Sequence, residues 1–420
     1  LAYVKRVRAA SRLFVMDLTS GSEQMVVSTL DQDMQETWAV HGLYPNMAWT
    51  PDSKELVYWN RGKLWRLNPV SGERLEIPFR IRHSRTVYPA PRARVKVGPV
   101  QFDTRMVRFA RPSPDGGSVV FESLGRLYLK RGDEAPAALT QVGDDAAGAG
   151  FDYSPVWAPD SRSIYFLRWN DQSLSSLFRV DTEGGKPVPL PLEKGQYTEL
   201  EISADGAELL LRKRPGSELL NPDWDKRPGI YLISIASGEM HYVGERGQQP
   251  HFGPGDRIYA QERGSAGSGR GSDTASTRLI SMTRSGHDVR ELANARFASQ
   301  LRLSPDGRHV AFIENYRLKV TAFTPTGKPV AVDAATPAFP TTLLSRLGGS
   351  FLNWSADGAR LYWSTGARLH SASMDALTDT APPAAATTGI DLSMRVASDR
   401  PGTRLALTNA RVVADPALLD

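Results

Sequence analysis

Side chains that could carry hydrolytic or metal chemistry occur in this chain, but none has the spacing of a local reactive site. The seven histidines include no His-x-His or His-Glu-x-x-His pair, the spacings that place two imidazoles on one metal ion. No Gly-x-Ser-x-Gly stretch predicts the nucleophile of a serine hydrolase. The acidic pairs Asp31/Asp33 and Asp223/Asp225 lack the glycine and distal glutamate of a calcium loop. We therefore predict no catalytic, cofactor-binding or metal-ligating residue in this chain.

Aromatic side chains are concentrated in the polar segment Asp31–Ser53, and the segment Lys213–Gly229 carries Trp224 between two aspartates. An aromatic residue in an ordered loop can contact a partner or a substrate, or it can fold back onto its own strands. The sequence leaves both interpretations open. The predicted partner or substrate contacts are Trp38, His41, Tyr44 and Trp224.

Bulk composition excludes several classes of function. The 420 residues include 51 basic and 46 acidic side chains, which are spread through the chain, whereas a nucleic-acid-binding protein needs a clustered basic face. The densest basic region, Arg80–Arg111, alternates with apolar residues and proline, so we interpret it as solvated strand faces and loops, with an anionic partner as the alternative. No apolar run is long enough for a membrane helix. The absence of cysteine excludes disulfides and zinc–thiolate sites.

A turn motif recurs along the chain, as in RLSPDGRHVAFI (Arg302–Ile313). Ser-Pro-Asp-Gly suits a type I turn, and the apolar run after it is typical of a buried strand. Repeated recurrence of one motif along a chain indicates a solenoid, a propeller or another repeat array. We assign the recurring aspartates a structural role in the turn. They are Asp52, Asp115, Asp160, Asp205, Asp256, Asp306 and Asp357.

Each motif is followed by further short strands and turns, and four antiparallel strands in about 45 residues form one propeller blade. We therefore predict an all-β fold, a β-propeller of about seven or eight four-stranded blades spanning residues 1–400. No helical periodicity competes with this pattern. The predicted units are an incomplete first blade at 1–30 and repeats near 46–105, 106–147, 151–195, 198–245, 248–297, 299–345 and 350–400.

The first residues, LAYVKRV, have the pattern of a second strand, and they carry neither an initial methionine nor a leader. This start indicates a blade that lacks its first strand. We therefore expect the chain to be a fragment of a longer protein.

The repeats resemble those of TolB-like β-propellers, a class of WD40-like PD40 repeats, over almost the whole chain. More specifically, Asp33–Glu73 is similar to the propeller region that precedes the catalytic domain in a family of large amidohydrolases. Gly402–Asp420 is similar to the opening strand of the small β-sandwich that precedes a metal-dependent amidohydrolase barrel, so 402–420 is expected to begin such a sandwich. The resemblance implies a parent enzyme that hydrolyses a C–N bond with zinc or another divalent metal.

This resemblance implies that the metal ligands follow Asp420 and that the propeller is an accessory, gating or interaction domain whose partner is its own downstream catalytic domain. Two alternatives remain: an envelope scaffold that binds proteins, like TolB, and the propeller of a serine peptidase of the prolyl oligopeptidase type. A periplasmic or secreted location is expected, and a cytoplasmic one stays open. No nucleic-acid partner and no membrane span are expected.

Overall fold

The computed structural model describes residues 1–7, 10–30, 47–84, 86, 98–141, 150–216, 227–264, 276–333, 337–375, 389–399 and 408. All regular structure in these residues is β-strand. None of their segments is a helix that could cross a membrane. The chain divides into two compact units: unit 1 comprises Leu1–Val100, Ser217–Trp224 and Ser398–Asp420, and unit 2 comprises Gln101–Gly216 and Asp225–Ala397.

Unit 1 contains two antiparallel sheets in its described residues. The first has the order β1-β2-β3 and the second the order β4-β5-β6-β7. Their shared core includes Leu13, Leu56 and Leu67, which are almost completely buried. The strands are β1 (Ala2–Val7), β2 (Ala10–Met16), β3 (Glu23–Val27), β4 (Ala48–Trp49), β5 (Leu56–Asn60), β6 (Lys63–Leu67) and β7 (Arg74–Ile77).

Unit 2 contains six sheets, each with four antiparallel strands, and a two-stranded ribbon; one of the six sheets has a fifth strand that pairs in parallel. We number the sheets blades 1 to 6. Blade 1 consists of β9 (Arg108–Pro112), β10 (Ser118–Ser123), β11 (Arg126–Arg131) and β12 (Ala137–Ala138). Blade 2 consists of β13 (Phe151–Trp157), β14 (Ser163–Asn170), β15 (Leu174–Asp181) and β16 (Val188–Leu190). Blade 3 consists of β17 (Tyr197–Ile202), β18 (Glu208–Lys213), β19 (Gly229–Ser234) and β20 (Met240–Gly244).

Blades 4 to 6 continue the same order. Blade 4 consists of β21 (Gln248–Gly253), β22 (Arg257–Arg263), β23 (Ser276–Thr283) and β24 (Arg290–Arg296). Blade 5 consists of β25 (Ala298–Leu303), β26 (His309–Glu314), β27 (Arg317–Ala322) and β29 (Thr341–Ser345). Blade 6 consists of β30 (Ser350–Trp354), β31 (Arg360–Thr365), β32 (Arg368–Ser373) and β33 (Ile390–Asp391). The short β28 (Val330–Ala331) pairs in parallel with β24, so the connection after β27 reaches back to the outer edge of blade 4.

The second strand of each blade is buried almost continuously, because a neighbouring blade covers each of its two faces. In β26, every residue from Val310 to Glu314 is buried. A sheet covered on both faces selects such uninterrupted apolar runs, whereas a sheet with one solvated face selects alternation. The runs that follow the turn motifs are therefore the contact layers between blades.

The recurring aspartates lie in the turns between the first and second strands. In blade 5, the Ser304 hydroxyl donates to Asp306 Oδ1 at 2.5 Å, and the Arg308 backbone N–H donates to the same oxygen at 3.1 Å. The turns at Asp52, Asp115, Asp205 and Asp357 have the same pair of hydrogen bonds.

Two turns depart from this pattern. At Asp160 only the backbone donor is present, since Ala158 replaces the serine. At Asp256 the sequence Pro254-Gly255-Asp256 shifts the turn, Asp256 has a positive φ of 53°, and its carboxylate accepts from Arg284.

The six blades of unit 2 form a closed ring. An apolar cluster fills each seam between consecutive blades, and a sixth cluster joins the last blade to the first through Phe121, Leu369 and Leu392. The Asn353 side chain of blade 6 donates to the Ala110 carbonyl of blade 1 at 3.2 Å.

A ribbon ties the two ends of unit 2 together, with β8 (Gln101–Asp103) pairing antiparallel with β34 (Arg395–Ala397). Hydrogen bonds between Thr104 and Met394 extend the ribbon. The chain entering blade 1 is thus held against the chain leaving blade 6.

The all-β propeller fold predicted from the repeats is confirmed, and eight blade-like sheets are present in the described residues. Six of these sheets close into a ring by themselves. The sequence count did not separate the ring from the two sheets of unit 1, because both groups carry the same strand and turn pattern. The expected β-sandwich strand at 402–420 lies outside the described residues, apart from Thr408.

A pair of tryptophan substitutions tests the seams. Trp157 of blade 2 donates from its indole nitrogen to the partly buried Arg111 carbonyl of blade 1 at 2.9 Å, whereas Trp169 donates locally to the exposed Asp171. Trp157→Phe keeps the apolar ring but leaves the carbonyl unsatisfied, so we expect a loss of roughly 1–3 kcal/mol in the free energy of unfolding. The matched control Trp169→Phe should lose less than about 0.5 kcal/mol. Equal losses in denaturant unfolding would contradict a seam at Trp157.

Candidate ligand site in the channel of the ring

The first strands of the six blades lie closest to the axis of the ring, and most of them are interrupted at the same repeat position. The backbone there has a positive φ, and the register with the second strand shifts. Such bulges bend a strand and redirect a side chain, and they are frequent beside functional sites. The residues are Phe109 (φ 52°), Ser154 (51°), Glu199 (64°), Gln249 (50°) and Phe351 (59°). In blade 5 the register shift occurs between Ala298 and Gln300.

These bulges surround a cavity of about 280 Å³ in the channel. Its lining combines aromatic, amide and charged side chains from all six first strands. The lining residues are Phe109, Arg111, Tyr153, Ser154, Thr198, Glu199, Leu200, Glu201, Gln249, Pro250, Gln300, Arg302, Phe351 and Leu352.

Three charged side chains from alternate blades meet in this cavity. Arg111 of blade 1 donates from Nη1 to Glu201 Oε2 at 2.7 Å and from Nη2 to Oε1 at 2.8 Å. Arg302 of blade 5 donates from Nη2 to the same Oε1 at 2.7 Å. Because Glu201 belongs to blade 3, the three side chains can meet only near the axis of a six-bladed ring. We call them the axial triad, and they link blades 1, 3 and 5 across the channel.

In the axial triad, attraction between opposite charges affects the pKa of Glu201 more strongly than burial does. Burial alone would raise the pKa of Glu201, but the guanidinium groups of Arg111 and Arg302 hold it far below its usual range. The triad has two positive charges and one negative charge, so the carboxylate does not neutralise it completely. Glu199 lines the same cavity and adds a second carboxylate, so the lining carries charges of both signs.

Two other titratable groups adjoin the triad. Burial raises the pKa of Glu199, partly offset by the hydrogen bond that its Oε2 accepts from the Gln249 backbone N–H at 2.7 Å. Burial and the charge of Arg302 lower the pKa of His251 to about 3. His251 Nδ1 lies 3.1 Å from the Gln249 carbonyl, and Nε2 accepts from the Leu303 backbone N–H at 3.2 Å. Only the neutral ring with its proton on Nδ1 satisfies both contacts.

A second, larger groove of about 1,060 Å³ lies over blades 1 and 2 and the terminal ribbon, and it shares Phe109 and Tyr153 with the channel cavity. Its apolar rim includes the exposed Leu124 and Phe151. In its wall, burial raises the pKa of Glu122, whose carboxylate accepts from the Gly125 backbone N–H at 2.8 Å.

The residues predicted from sequence to contact a partner or substrate, Trp38, His41, Tyr44 and Trp224, lie outside the described residues. The described part of the chain brings together no group of three or more histidine or carboxylate residues that could hold a metal ion.

Sequence reasoning missed the channel residues, although a signal was available. Arg111, Glu201 and Arg302 each stand four residues before the turn aspartate of their repeat. In the other repeats of the ring, the equivalent position carries an apolar or amide side chain. Charged residues at this position in alternate repeats would have indicated a contact at the axis of the ring.

Comparison with known proteins supports no closer assignment of the chain. No family model matches it. Dipeptidyl-peptidase 5 of Porphyromonas gingivalis is 26% identical over 207 residues, which are 47% of this chain and 27% of that protein. The match therefore spans less than a third of that relative's length.

TolB-like propellers are among the structures similar to this chain. TolB from Acinetobacter baumannii has 19% identity and a TM-score of 0.34, with 68% of this chain and 61% of that chain covered. An oligogalacturonate lyase in complex with manganese has 11% identity and a TM-score of 0.43, with 87% and 93% covered. The sheet order and the closed ring of unit 2 identify the fold as a β-propeller.

The neutral state of His251 predicts a pH dependence of stability. An unfolded histidine binds a proton near pH 6.5, whereas His251 in the ring does so only near pH 3. Its contribution is therefore fully present above pH 6.5 and is lost as the pH falls from 6.5 towards 3. His251→Gln retains an acceptor and a donor but cannot titrate. Denaturant unfolding at pH 7, 6 and 5 should show a shallower decline for the variant, and parallel profiles would contradict this assignment.

Proposed function

We propose that this chain is the propeller part of a larger hydrolase, in which it gates or orients substrate or mediates assembly while another domain performs the chemistry. The observation that carries this proposal is the axial triad. Its guanidinium and carboxylate groups bond to one another across the ring, an arrangement that links the blades and supplies no activated nucleophile.

The larger enzyme is proposed to be a metal-dependent amidohydrolase that cleaves a non-peptide or cyclic C–N bond. Support comes from the resemblance of Asp33–Glu73 and Gly402–Asp420 to the corresponding parts of that family. Zinc or a similar ion bound in the downstream domain would generate hydroxide near neutral pH. The propeller contributes no ligand to that ion in this proposal.

The axial triad limits how the propeller is proposed to act on substrate. In this proposal, the contacts of Arg111 and Arg302 with Glu201 obstruct passage of a ligand along the axis. The ring is therefore proposed to act as a closed wall or docking surface for the catalytic domain and not as a filter through which substrate passes.

A second candidate is the propeller of a serine peptidase of the prolyl oligopeptidase type. The sequence match to a dipeptidyl-peptidase favours it. If that propeller admitted substrate through its channel, the channel would have to be open along the axis. The axial triad is evidence against such a filter. A protein-binding scaffold like TolB remains the third candidate.

The coding sequence beyond Asp420 and two protein preparations test the proposal. We expect a His-x-His pair soon after a β-sandwich pattern, and zinc-dependent hydrolysis of a cyclic amide by the longer protein. Residues 1–420 alone should hydrolyse neither cyclic amides nor aminoacyl anilides, with or without zinc. A stop codon near Asp420 would favour the scaffold, and a Gly-x-Ser-x-Gly motif downstream would favour the peptidase. Zinc-dependent turnover by residues 1–420 would contradict a purely accessory role.

A further inference from the structure

The channel cavity has groups of both charges on its wall, with apolar surface between them. Its volume of about 280 Å³ lies just below the range of roughly 300–1,000 Å³ that is usual for drug-sized ligands. The cavity therefore suits a molecule of amino-acid to dipeptide size. It lies entirely within unit 2 and is lined by the first strands of all six blades.

Arg302 provides unused hydrogen-bonding capacity. Its Nη2 is bonded to Glu201, but its Nε–H is buried and has no acceptor among the described residues. The axial triad also has one more positive than negative charge. Arg302 lines the cavity and 14% of its side chain is accessible, so a ligand carboxylate in the cavity could pair with its guanidinium group.

Glu199 provides the opposite charge. Its Oε2 accepts the Gln249 backbone N–H, and the other oxygen has no partner among the described residues. Within the described chain, the Glu199 carboxylate forms no ion pair with a basic side chain, although its pKa is influenced by Arg212, Arg214 and Arg302. A ligand ammonium group at the second oxygen would favour the ionised carboxylate against the effect of burial.

Apolar surface completes the cavity. The rings of Phe109 and Phe351 meet at the seam between blades 1 and 6, with centroids 4.7 Å apart. Neither ring is fully buried, and both line the cavity together with Leu352. A flat or branched apolar side chain could pack against them, and an aromatic side chain would make a favourable ring contact there.

From these contacts we propose that the channel cavity binds a zwitterionic ligand of amino-acid size with an apolar side chain. The carboxylate bonds to Arg302, the ammonium bonds to Glu199, and the side chain packs on Phe109 and Phe351. This assignment goes beyond the proposed function, since the site lies in the ring itself and needs no downstream domain.

Three related probes test the assignment by calorimetric titration of the 420-residue chain. They are L-phenylalanine, its N-acetyl derivative, which lacks the ammonium, and its amide, which lacks the carboxylate. We expect L-phenylalanine to bind, and each derivative to bind at least tenfold more weakly. Equal affinity for all three, or no binding of L-phenylalanine at millimolar concentration, would overturn the proposal.

A conservative variant tests the orientation of the ligand. Glu199→Gln keeps an acceptor for the Gln249 backbone N–H but removes the charge, so the ring should fold normally, as an unchanged unfolding transition would show. Affinity for L-phenylalanine should fall at least tenfold, while that for the N-acetyl derivative should stay the same. The control Glu183→Gln alters an exposed carboxylate in the turn after β15 and should change neither affinity. Unchanged binding of L-phenylalanine to Glu199→Gln would overturn the role of Glu199.

Neither experiment uses hydrolysis as its readout. Failure of ligand binding would leave the proposed hydrolase partnership standing, and absence of a downstream catalytic domain would leave the ligand site standing. The two proposals can therefore fail separately.

Discussion

The contact of Arg111 and Arg302 with Glu201 constrains the rest of unit 2. These side chains come from blades 1, 5 and 3, and they can reach one another only if the blades are arranged around a common axis. Removing three charged groups from water is expensive, and their mutual attraction compensates only when the geometry is accurate. The triad therefore favours one arrangement of the ring over looser ones, even though a buried ion pair need not add net stability.

The contacts between neighbouring blades also favour one arrangement of the ring, through weaker interactions. Apolar clusters provide most of the contact between blades, and they tolerate small shifts because the hydrophobic effect is not directional. Directional hydrogen bonds between a side chain and the backbone of the next blade limit such shifts, as with Tyr153 on the Tyr197 carbonyl and Gln300 on the Leu352 N–H. The same bulged strands that carry these bonds also shape the cavity, so the ring and its ligand site depend on the same residues.

Much of the fold could be predicted from local chemistry. The Ser-Pro-Asp-Gly turns and the apolar runs after them identify a blade, since both signals arise within about a dozen residues. Asp306 and its equivalents are accordingly found in turns, bonded to nearby hydroxyl and backbone groups. The size of the ring could not be predicted in this way, because closure depends on contacts such as Asn353 with Ala110, which are 243 residues apart.

The candidate site was harder to predict because its residues are also far apart in the sequence. Glu201 is 90 residues from Arg111 and 101 residues from Arg302, and no local pattern distinguishes Arg111 from other strand arginines. Sequence reasoning instead selected aromatic residues such as Trp38 and Trp224, which lie outside the described residues. Residues of one site on a repeat architecture become visible when equivalent positions of the repeats are compared.

A mutational cycle on the axial triad tests the central claim most directly, with the unfolding free energy of the ring as the measured quantity. Glu201→Gln leaves two guanidinium groups unpaired and should cost about 3–5 kcal/mol. Replacing all three residues together, as Arg111→Met, Glu201→Leu and Arg302→Met, should cost less than that single change, because no uncompensated charge remains. Small, additive effects of the individual substitutions would show that the three side chains do not meet at the axis, and would contradict the closed six-bladed ring described above.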